Sequence, residues 1–195
     1  MSAILKVENL NVTLTQRKSS KKLVEEVSFE VRPGECLGIL GESGSGKSTM
    51  GRVICGLLKP DRGELLIRGT SVYASRSGRK NLQKRLSVVF QDYTTSANPR
   101  FRVKEIISEG LRARERNQKI KLNHPEEIRR LLELVGLNST YEERYPHELS
   151  GGQLQRVCIA RAVACQPEII LFDEAISSLD AHTQVQIMDL LRDLK

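Results

Sequence analysis

Two segments near the N-terminus, Ile4–Val12 and Leu23–Val31, have the residue pattern of β-strands. In the second segment every other residue from Val27 to Val31 is apolar. Alternation with a period of two places one face of a strand against a core and leaves the other face in water. We therefore predict two strands, joined by a polar loop over Gln16–Lys22.

A helical period replaces the alternation farther along the chain. The spacing i, i+3, i+4, i+7 of a helix buried on one face is followed by Ile128, Leu131, Leu132 and Val135. This spacing predicts a helix over Glu126–Val135. Further helices are predicted over 77–86, 103–117, 149–165 and 183–194, and short strands over 64–69, 87–91 and 169–173. Strands that alternate with helices indicate a mainly parallel α/β core, and the largely helical stretch 92–165 indicates an inserted helical subdomain.

The glycine-rich segment Gly41–Ser48 fits the phosphate-binding pattern G-x-x-x-x-G-K-[ST]. The apolar run before it, Glu35–Leu40, is predicted to be a buried strand, and Lys47–Leu58 a helix. Glycines with φ > 0 turn backbone N–H groups toward an anion, and the start of the helix adds its positive end. Lys47 is predicted to reach the β- and γ-phosphates and the Ser48 hydroxyl to bind Mg²⁺. The alternative is a chance match in a glycine-rich turn.

Two carboxylates, Asp173 and Glu174, close the apolar strand predicted to begin at Ile169. Ligands of open parallel sheets lie at the carboxyl ends of strands. If this strand neighbours the one before the glycine loop, Asp173 faces Ser48 across the metal, and Glu174 is free to polarise a water as a general base. The alternative is an acidic pair that ends a strand and caps the next segment.

A second glycine pair lies in Leu149–Gln153, at the start of a predicted helix. Exposed N–H groups, a helix dipole and the serine hydroxyl would form a second anion site here. The alternative is a glycine hinge that opens the helix.

The bulk composition is that of a globular protein, with 195 residues, 39% hydrophobic and 28% charged. A chain of this length is predicted to form one domain, and without a signal peptide or an apolar run of eighteen residues it is predicted to be cytosolic. The net charge of +7 has local excesses over 17–22, 76–85 and 112–121. No aromatic residues interleave with these runs, so a solvated basic face is favoured over nucleic-acid binding. The cysteines predicted to be reduced and buried are Cys36, Cys55, Cys158 and Cys165.

In this order, the motifs resemble those of the ATP-binding cassette (ABC) ATPases. Gly41–Ser48 matches the family's Walker A loop, Gln91 its Q-loop and Leu149–Gln153 its signature motif. Ile169–Asp173 with Glu174 matches its Walker B strand and catalytic glutamate, and Ser178–Asp180 matches its D-loop. The resemblance spans nearly the whole chain.

The resemblance implies a role for each matching residue. The implied nucleotide-binding residues are Gly41, Glu42, Ser43, Gly44, Ser45, Gly46, Lys47, Ser48 and Thr49. The residues implied to contact ATP bound by a partner subunit are Leu149, Ser150, Gly151, Gly152 and Gln153. The implied Mg²⁺ ligands are Ser48, Gln91 and Asp173, the implied catalytic residues are Glu174 and Gln91, and Asp180 is implied to couple the two sites.

The implied fold class is an α/β P-loop NTPase, with a mainly parallel sheet, an antiparallel N-terminal β region and an inserted helical subdomain. Residues 1–91 and 166–195 would form the core and 92–165 the helical subdomain. The implied cofactors are ATP and Mg²⁺. The implied partners are a second ABC ATPase subunit, identical or different, transmembrane permease subunits at the cytoplasmic face of the membrane and, indirectly, a substrate-binding protein; no nucleic acid is expected.

A subgroup is also suggested. Ser96–Arg100 and Tyr145–Gly152 are similar to segments of peptide and nickel importers, and Gln153–Cys158 with Asp173–Asp180 is most similar to the second ATPase subunit of nickel importers. The expected function is therefore to energise import of nickel or peptides.

Two departures from the family pattern leave alternatives open. Leu14 stands where the family usually stacks adenine on an aromatic ring, and the family's switch histidine lies beyond the position of Lys195. We expect a single cassette domain that is incomplete at its C-terminus. The alternatives are a truncated ATPase that binds ATP without efficient turnover, or a soluble ABC ATPase of translation or DNA repair.

Overall fold

The computed structural model describes residues 2–16, 19–173, 181, 184, 185 and 189. The chain divides into two units, Met1–Leu86 and Ser87–Lys195. Within the part of the chain that the structure describes, no helix combines the length and the apolarity needed to cross a membrane.

The first unit is built on a four-stranded sheet in the order β2-β1-β3-β4, and every neighbouring pair is antiparallel. Its strands are β1 (Leu5–Gln16), β2 (Ser19–Val31), β3 (Arg62–Ile67) and β4 (Thr70–Ser71). Val7, Leu10, Leu65 and Ile67 are at most 1% exposed, so one face of the central strands forms the core of this unit. The predicted antiparallel N-terminal β region is confirmed.

The loop predicted over Gln16–Lys22 is wrong in its extent. β1 continues to Gln16, and Gln16 pairs with Ser19 at the start of β2. A ladder satisfies backbone N–H and C=O groups whatever the side chains are, so pairing can continue through polar residues that carry no hydrophobic pattern.

Two helices pack against this sheet unit, α1 (Lys47–Ile54) and α2 (Arg76–Arg85). The α1 helix buries Met50, Val53 and Ile54. The hydroxyl of Tyr73 lies 2.6 Å from the carbonyl oxygens of both Val53 and Leu58, and it therefore holds the end of α1 and the turn after it.

The apolar run Glu35–Leu40 is not the buried strand that the sequence predicts. Its backbone is in neither described sheet, and Leu37, Ile39 and Leu40 are 48%, 44% and 95% exposed. An apolar run becomes a buried strand only where neighbouring strands satisfy its backbone, and no described strand pairs with this one. For the same reason Cys36 is exposed rather than buried. Of the other three cysteines, Cys158 is buried as predicted, Cys55 and Cys165 are only partly buried, and none of the four forms a disulfide.

The second unit is mainly helical. Its elements are β5 (Leu86–Val89, which begins at the unit boundary), α3 (Tyr93–Ser96), α4 (Val103–Gln118), α5 (His124–Leu134), α6 (Gly151–Ala164) and β6 (Ile169–Phe172). β5 and β6 form a two-stranded sheet, and α4, α5 and α6 enclose the core. The predictions of helices from residues 103, 126 and 149 are confirmed, with boundaries shifted by a few residues. The predicted helix 183–194 lies almost wholly outside the described residues.

Close packing of α4 against α6 depends on one glycine. A Cβ atom built on Gly110 would lie 2.3 Å from the carbonyl oxygen of Arg161 and 2.8 Å from the Cβ of Ala164. Only a residue without a side chain allows the two helix backbones to approach this closely. Ile106 and Ile107 are fully buried and belong to the same hydrophobic core as the apolar residues of α6.

Candidate nucleotide site

The glycine loop of the first unit has the backbone conformation that turns N–H groups toward an anion. Gly44 and Gly46 have φ values of +83° and +95°, a region that L-residues rarely adopt. The N–H of Ser45 donates to the carbonyl of Glu42 over 3.2 Å and closes the turn. The α1 helix starts directly after Gly46, which offers no side chain to cap it. The first amides of α1 therefore have no side-chain cap, as an anion site requires.

Gly46 is fixed by its neighbours as well as by its conformation. A Cβ atom there would lie 2.2 Å from the carbonyl oxygen of Leu23 and 3.3 Å from Cγ2 of Val24. The loop thus rests directly on β2. At the other end of the loop, a Cβ atom on Gly41 would lie 2.7 Å from Oγ of Ser45. Residues Gly41–Ser45 are exposed, so the loop is accessible to a ligand.

Lys47 is held by the loop itself. Its Nζ donates to the carbonyl oxygens of Gly41 and Glu42, both over 2.7 Å. These bonds fold the side chain back over the loop and place a positive charge beside the glycine amides. The Ser48 hydroxyl is exposed next to it.

In the second unit the structure brings Gln91 and Asp173 together. The N–H of Asp173 donates to the carbonyl of Val89 over 3.0 Å, so the residues that follow β5 and β6 meet at one edge of the sheet. An open cavity of about 500 Å³ lies at this edge, and its lining includes Gln91, Asp92 and Asp173. The cavity is thus lined by two carboxylates and an amide, oxygen groups of the kind that Mg²⁺ takes. The metal-binding roles predicted for Gln91 and Asp173 stay predictions.

Arg161 is a residue of this cavity that sequence reasoning missed. Its Nη1 donates to the carbonyl of Ser96 over 2.7 Å and lies 3.4 Å from Oε2 of Glu109. The available signal was a charged residue between two buried alanines, Ala160 and Ala162, on an otherwise apolar stretch of α6. A cation in an apolar stretch needs polar partners, and Arg161 has two, the carbonyl of Ser96 and the carboxylate of Glu109.

The signature segment forms a capping box at the start of α6. The N–H of Gln153 donates to Oγ of Ser150 over 3.3 Å, and the N–H of Ser150 donates to Oε1 of Gln153 over 3.0 Å. Nε2 of Gln153 also donates to the hydroxyl of Tyr141 over 3.0 Å. Because Oγ of Ser150 accepts, its hydrogen remains free to donate to an anion. Opening the helix and binding an anion are therefore compatible roles for this motif.

The segment before the signature is tied to the start of α4. The Glu143 carboxylate pairs with both Lys104 and Arg102, and the N–H of Val103 donates to the carbonyl of Arg144 over 2.9 Å. The hydrogen bonds from Lys104 and Arg102 lower the pKa of Glu143 below its usual value. The guanidinium of Arg102 also lies 5.4 Å from the ring centre of Tyr145. This network fixes the approach to Ser150.

The other predicted site residues differ in what the structure says of them. Thr49 lies in the first turn of α1, and Gly151 and Gly152 lie in the first turn of α6. Glu174 and Asp180 lie outside the described residues, and so does the side chain of Leu14. The roles assigned to all these residues stay predictions.

Comparison with known families gives a match over most of the chain. A family model described as "ABC transporter" matches residues 24–177. The oligopeptide transport ATP-binding protein OppF of Bacillus subtilis (strain 168) is 42% identical over 194 residues, covering 98% of this chain and 63% of that protein. The dipeptide transport ATP-binding protein DppF of Lactococcus lactis subsp. cremoris (strain MG1363) is 40% identical over 196 residues, covering 98% and 62%. The chain thus spans less than two thirds of the length of these relatives.

Solved structures resemble the chain as a whole. The dimeric ATP-binding cassette MJ0796, in a post-hydrolysis state bound to ADP and Pi, superposes with a TM-score of 0.86 at 30% identity, covering 97% of this chain and 82% of that one. CbiO1 from Clostridium perfringens, part of the ABC transporter complex cbiONQ, gives a TM-score of 0.81 at 28% identity, covering 100% and 74%. The predicted fold class, a P-loop NTPase of the cassette type, is confirmed.

Proposed function

Because the chain belongs to the ABC transporter family, we propose that it is the ATP-binding and ATP-hydrolysing subunit of a peptide importer. The observation that carries this proposal is the meeting of Gln91 and Asp173 in one cavity at the β5–β6 edge. The amide and carboxylate oxygens there are hard donors of the kind Mg²⁺ takes beside phosphates, and within the first unit the Ser48 hydroxyl is a donor of the same kind. The residues present therefore fit MgATP.

Peptides are the proposed cargo. Proteins named for oligopeptide and dipeptide transport match 98% of this chain at 40% identity or more. Nickel, the other cargo that the sequence suggests, is the second substrate to test. Cargo is selected by a binding protein and a permease. The peptide assignment therefore concerns the transporter in which this subunit assembles, and not a cargo pocket in the subunit itself.

ATP supplies the phosphoryl group that passes to water, and Mg²⁺ neutralises charge on its phosphate oxygens. The loop amides between Gly41 and Lys47 donate to those oxygens, and the missing Cβ atom of Gly46 lets the loop lie directly against the carbonyl oxygen of Leu23. Lys47 gives up its bonds to the carbonyls of Gly41 and Glu42 and bonds to phosphate instead. This exchange costs little, because a charged acceptor replaces two neutral ones.

Gln91 and Asp173 have different tasks in the proposed reaction. Asp173 would hold Mg²⁺ through its carboxylate. The Gln91 side chain would offer its oxygen to the same metal and would orient the attacking water through a hydrogen bond. Glu174, the next residue along the chain, accepts the proton that this water loses. Removing the base leaves binding intact and slows only the chemical step.

The signature motif is proposed to act on ATP held by a second ATPase subunit. The Ser150 hydroxyl keeps a free hydrogen, and α6 presents the N–H groups of Gly151 and Gly152 in its first turn. These donors suit a γ-phosphate. The dimeric form of the structural neighbour MJ0796 supports the pairing of two cassettes. Asp180 is proposed to connect the two sites.

The proposed assembly places this subunit at the cytoplasmic face of a membrane. Its partners are a second ATPase subunit, identical or different, and transmembrane permease subunits; a substrate-binding protein delivers cargo from the other side. Nucleic acid has no part in the proposal.

The test is ATP hydrolysis and peptide uptake by the full-length protein with its permease in liposomes. We expect MgATP binding, hydrolysis stimulated by peptide-loaded binding protein, and uptake of a tripeptide. Lys47→Ala is expected to lose ATP binding, whereas Glu174→Gln is expected to bind ATP and not turn it over. Binding without turnover in the wild-type protein would favour the alternative of a catalytically impaired ATPase. Stimulation by nickel and not by peptide would reassign the cargo.

A further inference from the structure

Arg161 links the signature helix to the segment that carries Gln91. Its guanidinium donates to the carbonyl of Ser96, the last residue of α3. Its Nη1 lies 3.4 Å from the Glu109 carboxylate of α4. The Arg161 side chain is 20% exposed and that of Glu109 is 42% exposed, so the contact with Ser96 is the less hydrated of the two. One side chain of α6 thus holds two other elements.

The α3 helix is in turn fixed to Gln91. Asp92 follows Gln91 directly, and its carboxylate accepts the N–H of Thr95 over 3.2 Å. The Thr95 hydroxyl also donates to the carbonyl of Asp92 over 3.4 Å. These bonds hold residues 92–95 in a turn that begins directly after Gln91 and leads to Ser96, so the Ser96 carbonyl and Gln91 lie at the two ends of one short segment.

A second contact from α6 meets the same turn. Sγ of Cys158 lies 3.7 Å from Oγ of Ser96. Cys158 precedes Arg161 by three residues and therefore lies on the same face of α6. The contacts of Ser96 with α6 thus involve both its backbone and its side chain.

At its other end, α6 carries the signature motif. Ser150 precedes Arg161 by eleven residues, about 16 Å along a helix. The helix is continuous from Gly151 to Ala164 and is largely buried, so it moves as a rigid rod. A displacement of the Gln91 segment therefore reaches Ser150 through Arg161.

We propose that Arg161 is a positioning residue that couples the cavity of Gln91 to the signature motif, so that the two take up their catalytic positions together. The inference rests on the proposed ATPase function and deepens it. Arg161 itself need not touch nucleotide. Its role is to hold the Ser96 carbonyl at a fixed distance from α6 while Gln91 and the signature motif at the start of α6 meet their ligands.

The experiment compares four variants of the full-length protein, assembled with its permease. Arg161→Gln removes the cation and the fork of donors. Arg161→Lys keeps a cation that reaches Ser96 or Glu109 but not both. Glu109→Gln removes only the longer contact. Arg156→Gln is the matched control, because Nη1 of Arg156 donates to the carbonyl of Val135 over 2.8 Å, an equivalent bond from α6 to a different helix end.

We expect Arg161→Gln to lower kcat by about 10- to 100-fold, the loss that a small misplacement of reacting groups produces. KM for ATP is expected to change by less than about twofold, because the glycine loop makes its own contacts within residues 1–86. Arg161→Lys should recover part of kcat. Glu109→Gln should stay within about twofold of wild type, and Arg156→Gln should lower the melting temperature without a comparable loss of kcat.

Three results would overturn the inference. The first is that Arg161→Gln has a kcat no lower than that of Arg156→Gln when the melting temperatures of the two variants fall by the same amount. The second is a Glu109→Gln loss as large as that of Arg161→Gln, which would place the effect on α4. The third is a Lys variant no better than the Gln variant. A wild-type protein without ATPase activity would refute the proposed function itself, and that outcome is read before any variant.

Discussion

At the scale of single residues, Gly46 connects conformation with binding. Its φ of +95° orients the amide at the start of α1, and the Leu23 carbonyl occupies the place where a side chain would begin. We predict that Gly46→Ala weakens MgATP binding more than tenfold and lowers the free energy of unfolding by about 2 kcal/mol or more, because a left-handed conformation and a backbone clash add. Isothermal titration and urea denaturation measure the two effects.

Gly34 provides the matched control for this substitution. It has a φ of +79°, and nothing lies within 4 Å of a Cβ atom built on it. Gly34→Ala should therefore cost only the conformational term, about 1 kcal/mol, and leave ATP binding unchanged. Equal effects of the two substitutions would show that the Leu23 contact does not matter.

Tyr73 is a second residue whose effect is local and measurable. Its hydroxyl lies 2.6 Å from two carbonyl oxygens at the end of α1, those of Val53 and Leu58. We predict that Tyr73→Phe lowers the free energy of unfolding by about 1–2 kcal/mol, since those carbonyls lose a donor in a half-buried place. Urea denaturation of both proteins at pH 8 gives the difference.

The same residue gives a pH dependence of known sign. Burial raises the pKa of Tyr73 to about 12, above the usual value near 10. A group that holds its proton more tightly when folded contributes stability below its unfolded pKa and loses it as the pH rises through the folded one. The stability difference between wild type and Tyr73→Phe should therefore be constant from pH 7 to 9 and shrink between pH 10 and 12. A difference that grows with pH would contradict the role assigned to the hydroxyl.

At the scale of elements, the sequence predicts helices better than it predicts their partners. The periodic apolar residues that predict α5 lie on one face of the helix. That face is buried as expected at Ile128, Leu131 and Leu132. The run Glu35–Leu40 has an equally clear strand pattern and is not a strand, because a strand is defined by pairing with another segment. Arg161 was missed for a related reason, since its partners at Ser96 and Glu109 lie far from it in sequence.

The crossing of α4 and α6 gives the element-scale prediction. Gly110→Ala places a methyl group 2.3 Å from the Arg161 carbonyl, and neither helix backbone can move aside without opening the core between them. We predict a loss of about 1–3 kcal/mol in the free energy of unfolding, although alanine is the better helix former. Urea denaturation should show it.

Arg112 is the control on the same helix. Its side chain is exposed, and Arg112→Ala should change the free energy of unfolding by no more than about 0.5 kcal/mol. If Gly110→Ala proved as neutral as Arg112→Ala, the helices would be less closely packed than the structure has them.

At the scale of the whole molecule, each unit carries some of the predicted site residues. The glycine loop belongs to residues 1–86, and Gln91, Asp173 and the signature motif belong to residues 87–195. Motif order alone predicts a different grouping, with residues 1–91 and 166–195 in one core and 92–165 as a helical subdomain. It did not predict that Ser150 caps its own helix while keeping a donor free. The cap uses the hydroxyl oxygen of Ser150 as an acceptor and leaves the hydroxyl hydrogen available, and a sequence pattern does not distinguish the two.

The proposed head-to-tail pairing of two cassettes leads to a prediction that can be tested only with mixed dimers. Ser150→Asp keeps an oxygen that accepts from the Gln153 N–H and so preserves the helix cap, but it sets a carboxylate against the partner's phosphate. Lys47→Ala disables the glycine loop of its own chain. In a mixed dimer one site combines both defects, while the other combines an intact loop with an intact signature motif.

We therefore predict that each variant of the full-length protein is inactive alone and that an equal mixture recovers ATPase activity. Steady-state phosphate release with permease in liposomes measures it, and thermal melting confirms that Ser150→Asp is folded. About half of randomly paired dimers hold one intact site, which sets the upper limit of recovery at roughly a quarter of wild type if sites act independently.

A mixture as inactive as its parts, with mixed dimers shown to form, would mean that loop and signature motif of one chain serve the same nucleotide or that both sites must be intact. A double variant carrying Lys47→Ala and Ser150→Asp in one chain, paired with wild type, separates these cases: shared-chain sites leave one site working, whereas head-to-tail sites leave none.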